Sequence, residues 1–116
     1  FEAVGEVIEL EEKLFSAFSV IASCSPAYTL LYVDALAQAG VQFGIPKPLA
    51  LKIASQAVLG TTRLLQETGE HPRALADQVC SPGGTTIAGV CSLQKDAFEA
   101  AVVAAAQASL DRDKQL

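Results

Sequence analysis

The chemistry open to this chain is concentrated in six consecutive residues, Ser81-Pro82-Gly83-Gly84-Thr85-Thr86. Pro82 fixes φ and has no N–H to donate. Gly83 and Gly84 admit conformations closed to other residues and let a ligand approach the main chain. Thr85, Thr86 and Ile87 then open a helix, and the N–H groups of its first turn stand unpartnered at the positive end of the helix dipole. Backbone donors with hydroxyls beside them at a helix N-terminus suit a carboxylate or a phosphate. The same residues also read as a helix stop, a turn and an N-cap with no ligand at all.

Other chemistries find little support. His71 is the single histidine, so no Ser/His/Asp arrangement can be built. Cys24, Cys80 and Cys91 are odd in number and lack C-x-x-C spacing, which fits reduced thiols rather than a disulfide framework or a zinc site. Cys80 adjoins the six-residue turn but has no base to activate it, and it reads as a small packed thiol. No catalytic residue and no metal ligand is assigned. The glycines at 5, 40, 44, 60, 69, 83, 84 and 89 never take the G-x-G-x-x-G spacing of a dinucleotide-binding unit, and the lysine of a P-loop is missing after Gly84.

Among the 116 residues, 13 acidic and 8 basic side chains give a net charge of −5, which argues against nucleic acid as a partner. Half the chain is apolar (51%), yet no uninterrupted apolar run approaches the roughly 20 residues of a membrane span, so no membrane is expected. Methionine is absent, which suggests a piece of a longer protein.

The elements that must position the turn are helices. Val4 to Leu10 reads as a short strand, and Glu11 to Ala22 as a first helix with Leu14, Phe15, Phe18 and Ile21 at helical spacing. Ser23-Cys24-Ser25-Pro26 reads as a break, with Ser25 as N-cap and Pro26 in the first helical position of the next helix. That helix, Pro26 to about Phe43, is apolar nearly all round except for Asp34 and Gln38. A second subunit is the simplest source of cover for its extra face. Pro46 to about Glu67 follows, with a broad apolar stripe and Gly60 inside it, where a close helix crossing would account for the glycine. Short helices over His71–Val79 and Thr85–Gln94 flank the turn. Phe98 to about Arg112 closes the chain, with Phe98, Val102, Ala105 and Ala106 facing inward.

Asp77-x-Val79-x-Ser81-Pro82-Gly83-Gly84-Thr85-Thr86-Ile87-Ala88-Gly89 resembles the signature of the pyrroline-5-carboxylate reductases, the last enzymes of proline synthesis. Pro26-Ala27-Tyr28, Asp34-Ala35-Leu36-Ala37, Gly40-Val41 and Gly44-Ile45-Pro46 resemble the family's dimerisation helix and its exit. Leu59-Gly60, Leu64-Leu65 and Glu67-Thr68-Gly69-Glu70-His71-Pro72 resemble the following helix and its end. Ser23 and Ser25 stand where the family has glycines. The resemblance implies an all-α helical bundle that forms an intertwined homodimer, with rings of dimers known in the family. Residues 11–116 would be the helical dimerisation and substrate-binding domain. Residues 1–10 would be a short extended segment left from, or linking to, a missing N-terminal Rossmann domain. It further implies an oxidoreductase that reduces 1-pyrroline-5-carboxylate to L-proline with NADPH or NADH, the cofactor being held by the missing domain, in a cytoplasmic setting. The fragment alone is then expected to be inactive. The substrate carboxylate would be held by Ser81, Gly83, Gly84, Thr85 and Thr86, through the hydroxyls of Ser81 and Thr86 and the N–H groups of Gly84 to Thr86. A helical dimerisation module with no ligand of its own is the alternative. The helical half of a hydroxyacid dehydrogenase ranks last, because Lys47, Lys52 and Lys95 lack that family's surrounding motif.

Overall fold

The computed structural model describes residue 11 and residues 14–115. The extended segment expected over Val4–Leu10 lies outside the described residues. Those residues are 84% helical with no strand among them. In order they form α1 (Phe15–Ser19), a π-helical turn (Val20–Cys24), α2 (Ser25–Gln42), α3 (Lys47–Thr68), α4 (Pro72–Gln78), α5 (Thr85–Lys95) and α6 (Phe98–Gln115). They divide into two compact units, one made of the chain up to Leu30 together with Phe98 onward, the other of Leu31–Ala97.

In the first unit, α1 and the π-turn pack along α6. Val20 is buried there, and the Tyr28 hydroxyl reaches α6, donating to the Ala105 carbonyl (3.3 Å) and sharing a hydrogen bond with the Ser109 hydroxyl. Ala105 and Ala106 are half-buried as expected, whereas Phe98 and Val102 are exposed. The expected break at Ser23–Pro26 does not occur. Ser25 is helical (φ −61°, ψ −26°) and its hydroxyl donates backward to the Ile21 carbonyl, so it is not an N-cap. Pro26 inside an α-helix would clash with the carbonyl four residues back. Widening one turn relieves the clash, and α1 and α2 continue as a single helical run, Phe15–Gln42. That fused run is long and apolar enough to cross a membrane by length and composition, a property hidden when the sequence is broken at Pro26.

In the second unit, the latter part of α2 packs against α3 through small residues. Ala37, Ala50 and Ala54 are its buried hydrophobics. A Cβ added to Gly40 would stand 3.1 Å from the Ala50 Cβ, so the two backbones approach closely there. Gly60, by contrast, has nothing within 4 Å of where its Cβ would be. The close crossing therefore belongs to Gly40, and Gly60 makes none among the described residues. Asp34 and Gln38 of α2 share one partner: Lys47 bridges Asp34 (2.8 Å) and donates to Gln38 (3.1 Å). Asp34 is well exposed and Lys47 partly so, and the bridge contributes at most about 1 kcal/mol.

Helix ends follow local chemistry. At the end of α2, Ile45 N–H donates to Gly40 O and Gly44 N–H to Val41 O, with Gly44 at φ +103°. This is a Schellman motif, and it needs the left-handed residue that glycine supplies. Pro46 caps α3 at its start and Gly69 (φ +65°) at its end. His71 Nδ1 accepts from the Arg73 N–H (3.0 Å) and caps α4, which puts the imidazole proton on Nε2. Between α5 and α6, Ala97 takes φ +58°, a conformation costly for a residue with a Cβ.

Two substitutions of opposite sign follow. Gly40→Val overfills the α2–α3 crossing and is expected to lower stability by about 1–3 kcal/mol. Ala97→Gly removes the left-handed strain and is expected to raise it by about 1 kcal/mol. Thermal unfolding of both variants beside the parent chain measures each.

Candidate functional site

The six-residue stretch singled out by the sequence joins α4 to α5. Val79 and Cys80 complete the last turn after α4, donating to Ala76 O and Asp77 O. Gly84 N–H then donates to Ser81 O (3.1 Å), closing a four-residue turn with Pro82 second and Gly83 third at φ +68°. Proline in the second position and a left-handed glycine in the third are the requirements of a type II turn. Gly84 is the N-cap of α5, extended (φ −85°, ψ 179°), with no side chain capping the helix. Its carbonyl accepts from Ala88 N–H (3.4 Å), which leaves the N–H groups of Thr85, Thr86 and Ile87 without an acceptor inside the helix.

The hydroxyls of Ser81, Thr85 and Thr86 make no hydrogen bond among the described residues, and all three side chains are exposed. Three backbone donors and three hydroxyls are thus available to a ligand in solution. Gly84 contributes by having no side chain: a Cβ there would sit 2.5 Å from the Ser81 Oγ and 3.3 Å from the Ser81 carbonyl oxygen. The glycine therefore leaves room for the Ser81 hydroxyl beside the helix start. Its own N–H is spent on the turn, so the third free backbone donor is that of Ile87 and not that of Gly84. The Pro-Gly pair carried that information, since the fourth residue of such a turn donates its closing bond.

Two polar residues near the turn have partners elsewhere. His71 caps α4 and Glu70 accepts from the Gln78 side-chain amide (3.2 Å). Cys80 is a half-buried free thiol, and no cluster of metal-ligating side chains occurs among the described residues. Gly44, Gly69 and Gly83, the glycines at positive φ, lie at three separate helix ends, and the described residues contain no strand leading into a glycine turn.

Comparison with known proteins decides the family. The sequence pattern described as "Pyrroline-5-carboxylate reductase dimerisation" matches residues 12–116. The chain belongs to this family. A pyrroline-5-carboxylate reductase from Synechocystis is 47% identical over the whole chain, and the match takes up 43% of that relative. A crystal structure of 1-pyrroline-5-carboxylate reductase from Streptococcus pyogenes matches with a TM-score of 0.91 at 42% identity, over 94% of this chain and 42% of that one. The Plasmodium falciparum pyrroline carboxylate reductase, solved with NADP bound, matches with a TM-score of 0.88 at 30% identity, over 93% of this chain and 41% of that one. The chain thus spans less than half the length of these relatives, and the span is their C-terminal part. The all-α fold is that of the family, and a dimerisation domain indicates self-association.

The turn itself is testable for stability. Gly83→Ala places a Cβ at φ +68° and is expected to cost about 1–2 kcal/mol, seen as a lowered midpoint in urea with an unchanged slope.

Proposed function

We propose that this chain is the dimerising, substrate-binding part of a pyrroline-5-carboxylate reductase, an enzyme that reduces 1-pyrroline-5-carboxylate to L-proline with NADPH or NADH. Family membership supports the reaction. The observation that carries the chain's own role is the start of α5, where three N–H groups have no acceptor inside the helix and the hydroxyls of Ser81 and Thr86, close by in the chain, have no internal partner. The substrate is a cyclic imine with one carboxylate, the kind of anion such donors hold. Ser81, Gly83, Gly84, Thr85 and Thr86 form the carboxylate site, with Ile87 adding its N–H. Gly83 and Gly84 shape the turn, while the donors fix the orientation of the ring. This is positioning more than acid–base chemistry. The cofactor belongs to the part of the relatives outside the span matched here, and no step is assigned to it.

The same reading accounts for the exposed apolar surface. Phe43, Leu31 and Leu30 are 81%, 73% and 69% exposed on or just after α2. A helix this apolar needs cover, and a second copy of the chain supplies it in a homodimer, with a cytoplasmic setting for the assembly. The length of the Phe15–Gln42 run is then that of a helix covered by protein rather than by lipid. Obligate interfaces of this type bury on the order of 2,000 Å² or more. Sedimentation at micromolar concentration is expected to find a dimer, and Leu31→Glu to shift it toward monomer. A monodisperse parent monomer would sink the homodimer.

Kinetics on the full-length enzyme test the site. Thr86→Val keeps the shape and removes the donor. A hydrogen bond to a charged group contributes about 1.5–3 kcal/mol. The carboxylate is remote from the reacting imine carbon, so the loss is expected as a rise in KM of roughly 10- to 100-fold, with kcat and dinucleotide affinity little changed. Thr85→Val is expected to raise KM less. An unchanged KM in a Thr86→Val enzyme that folds and dimerises normally would leave that hydroxyl no part in binding.

A further inference from the structure

The π-turn at Val20–Cys24 changes which residues of the first helical run face α6. Each residue of an α-helix advances the side chain by about 100°. Val20 and Tyr28 are eight positions apart, so in a regular helix they would point about 80° away from each other. A π-turn absorbs one extra residue, leaving seven effective steps and a separation of about 20°. Both do lie against α6: Val20 is buried with the π-turn packed on that helix, and Tyr28 bonds to Ala105 and Ser109. Cys24, between them, lines a cavity with Ser109 and Arg112 of the same helix. Without the extra residue, Ile21 would stand seven positions before Tyr28 and take the inner place. Ile21 is instead 65% exposed.

The wide turn leaves the Ile21 carbonyl without a backbone donor. Ser25 N–H donates to Val20 O, the π pattern. By the same pattern the Ile21 carbonyl would accept from the N–H of residue 26, which is proline and has none. The Ser25 hydroxyl donates to that carbonyl. We propose that Ser25 and Pro26 together form a register lock: the proline forbids the regular turn, and the serine hydroxyl replaces the N–H that the proline lacks. The lock holds Val20 rather than Ile21 against α6 and thereby sets the rotation of α1 on the bundle.

A double-mutant cycle on the chain as it exists tests this through thermal unfolding. Ser25→Ala is expected to lower Tm by roughly 4–8 °C, and Ser25→Thr, which keeps the hydroxyl, by much less. In a Pro26→Ala background the backbone N–H is restored, and Ser25→Ala is expected to cost less than about 2 °C. Equal costs in the two backgrounds, or no cost in the parent, would overturn the proposal. If Ser25→Ala alone does not fold, the double variant is expected to fold, and its failure would overturn the proposal equally. Val20→Ser and Ile21→Ser supply the register readout. Val20→Ser is the more damaging in the parent, and its excess over Ile21→Ser is expected to shrink once Pro26→Ala unlocks the turn. An unchanged excess would mean that the proline does not set the register.

Discussion

The meeting of α2 and α3 is made by the smallest side chains available, and much else in the fold follows from that. Ala37, Ala50 and Ala54 are buried where Gly40 lets the backbones come together. Small residues permit close contact but remove little apolar area from water, far less than the 1.5–3 kcal/mol of a buried Leu or Ile. Ordering each residue costs about 1–2 kcal/mol of backbone entropy. The large residues that would offset this, Leu30, Leu31, Leu36, Ile53 and Leu59 among them, lie exposed on the same helices. The chain has the composition of a well-filled core and yet keeps most of that core on its outside. A family defined by dimerisation resolves the mismatch, because self-association gives those side chains somewhere to go.

The helices were legible because their signals are local. Glycine after the last turn of α2, proline ahead of α3, glycine after α3 and His71-Pro72 before α4 all mark boundaries that the structure keeps within a residue or two. What escaped was the continuity of α1 and α2. Proline inside a helical pattern ordinarily signals an end, and Ser25 before it looks like a cap. Only tertiary packing, with Val20 and Tyr28 both drawn onto α6, makes a widened turn better than a break. Gly60 finds no close neighbour among the described residues. A glycine within a helix marks a possible close approach, but which glycine is used depends on the crossing, and here it is Gly40.

The turn between α4 and α5 was legible as a turn followed by a helix start, because its residue types admit few alternatives. Pro82 and Gly83 dictate the turn, and Gly84 follows as an extended cap with no Cβ to collide with Ser81. Less visible was the division of labour among the N–H groups. Gly84 closes the turn and Ile87 is left free, so the set of donors slides one residue along α5 from the position that motif reading suggests.

The thin internal burial of α2 and α3 makes the amount of chain present a variable of its folding. A fold that completes its core only on meeting its own kind has a melting point that rises with concentration, by mass action. Dilution or slow synthesis would then act as a destabilising mutation does, without any change in sequence. Robustness in such a protein belongs to a population of chains rather than to any one of them.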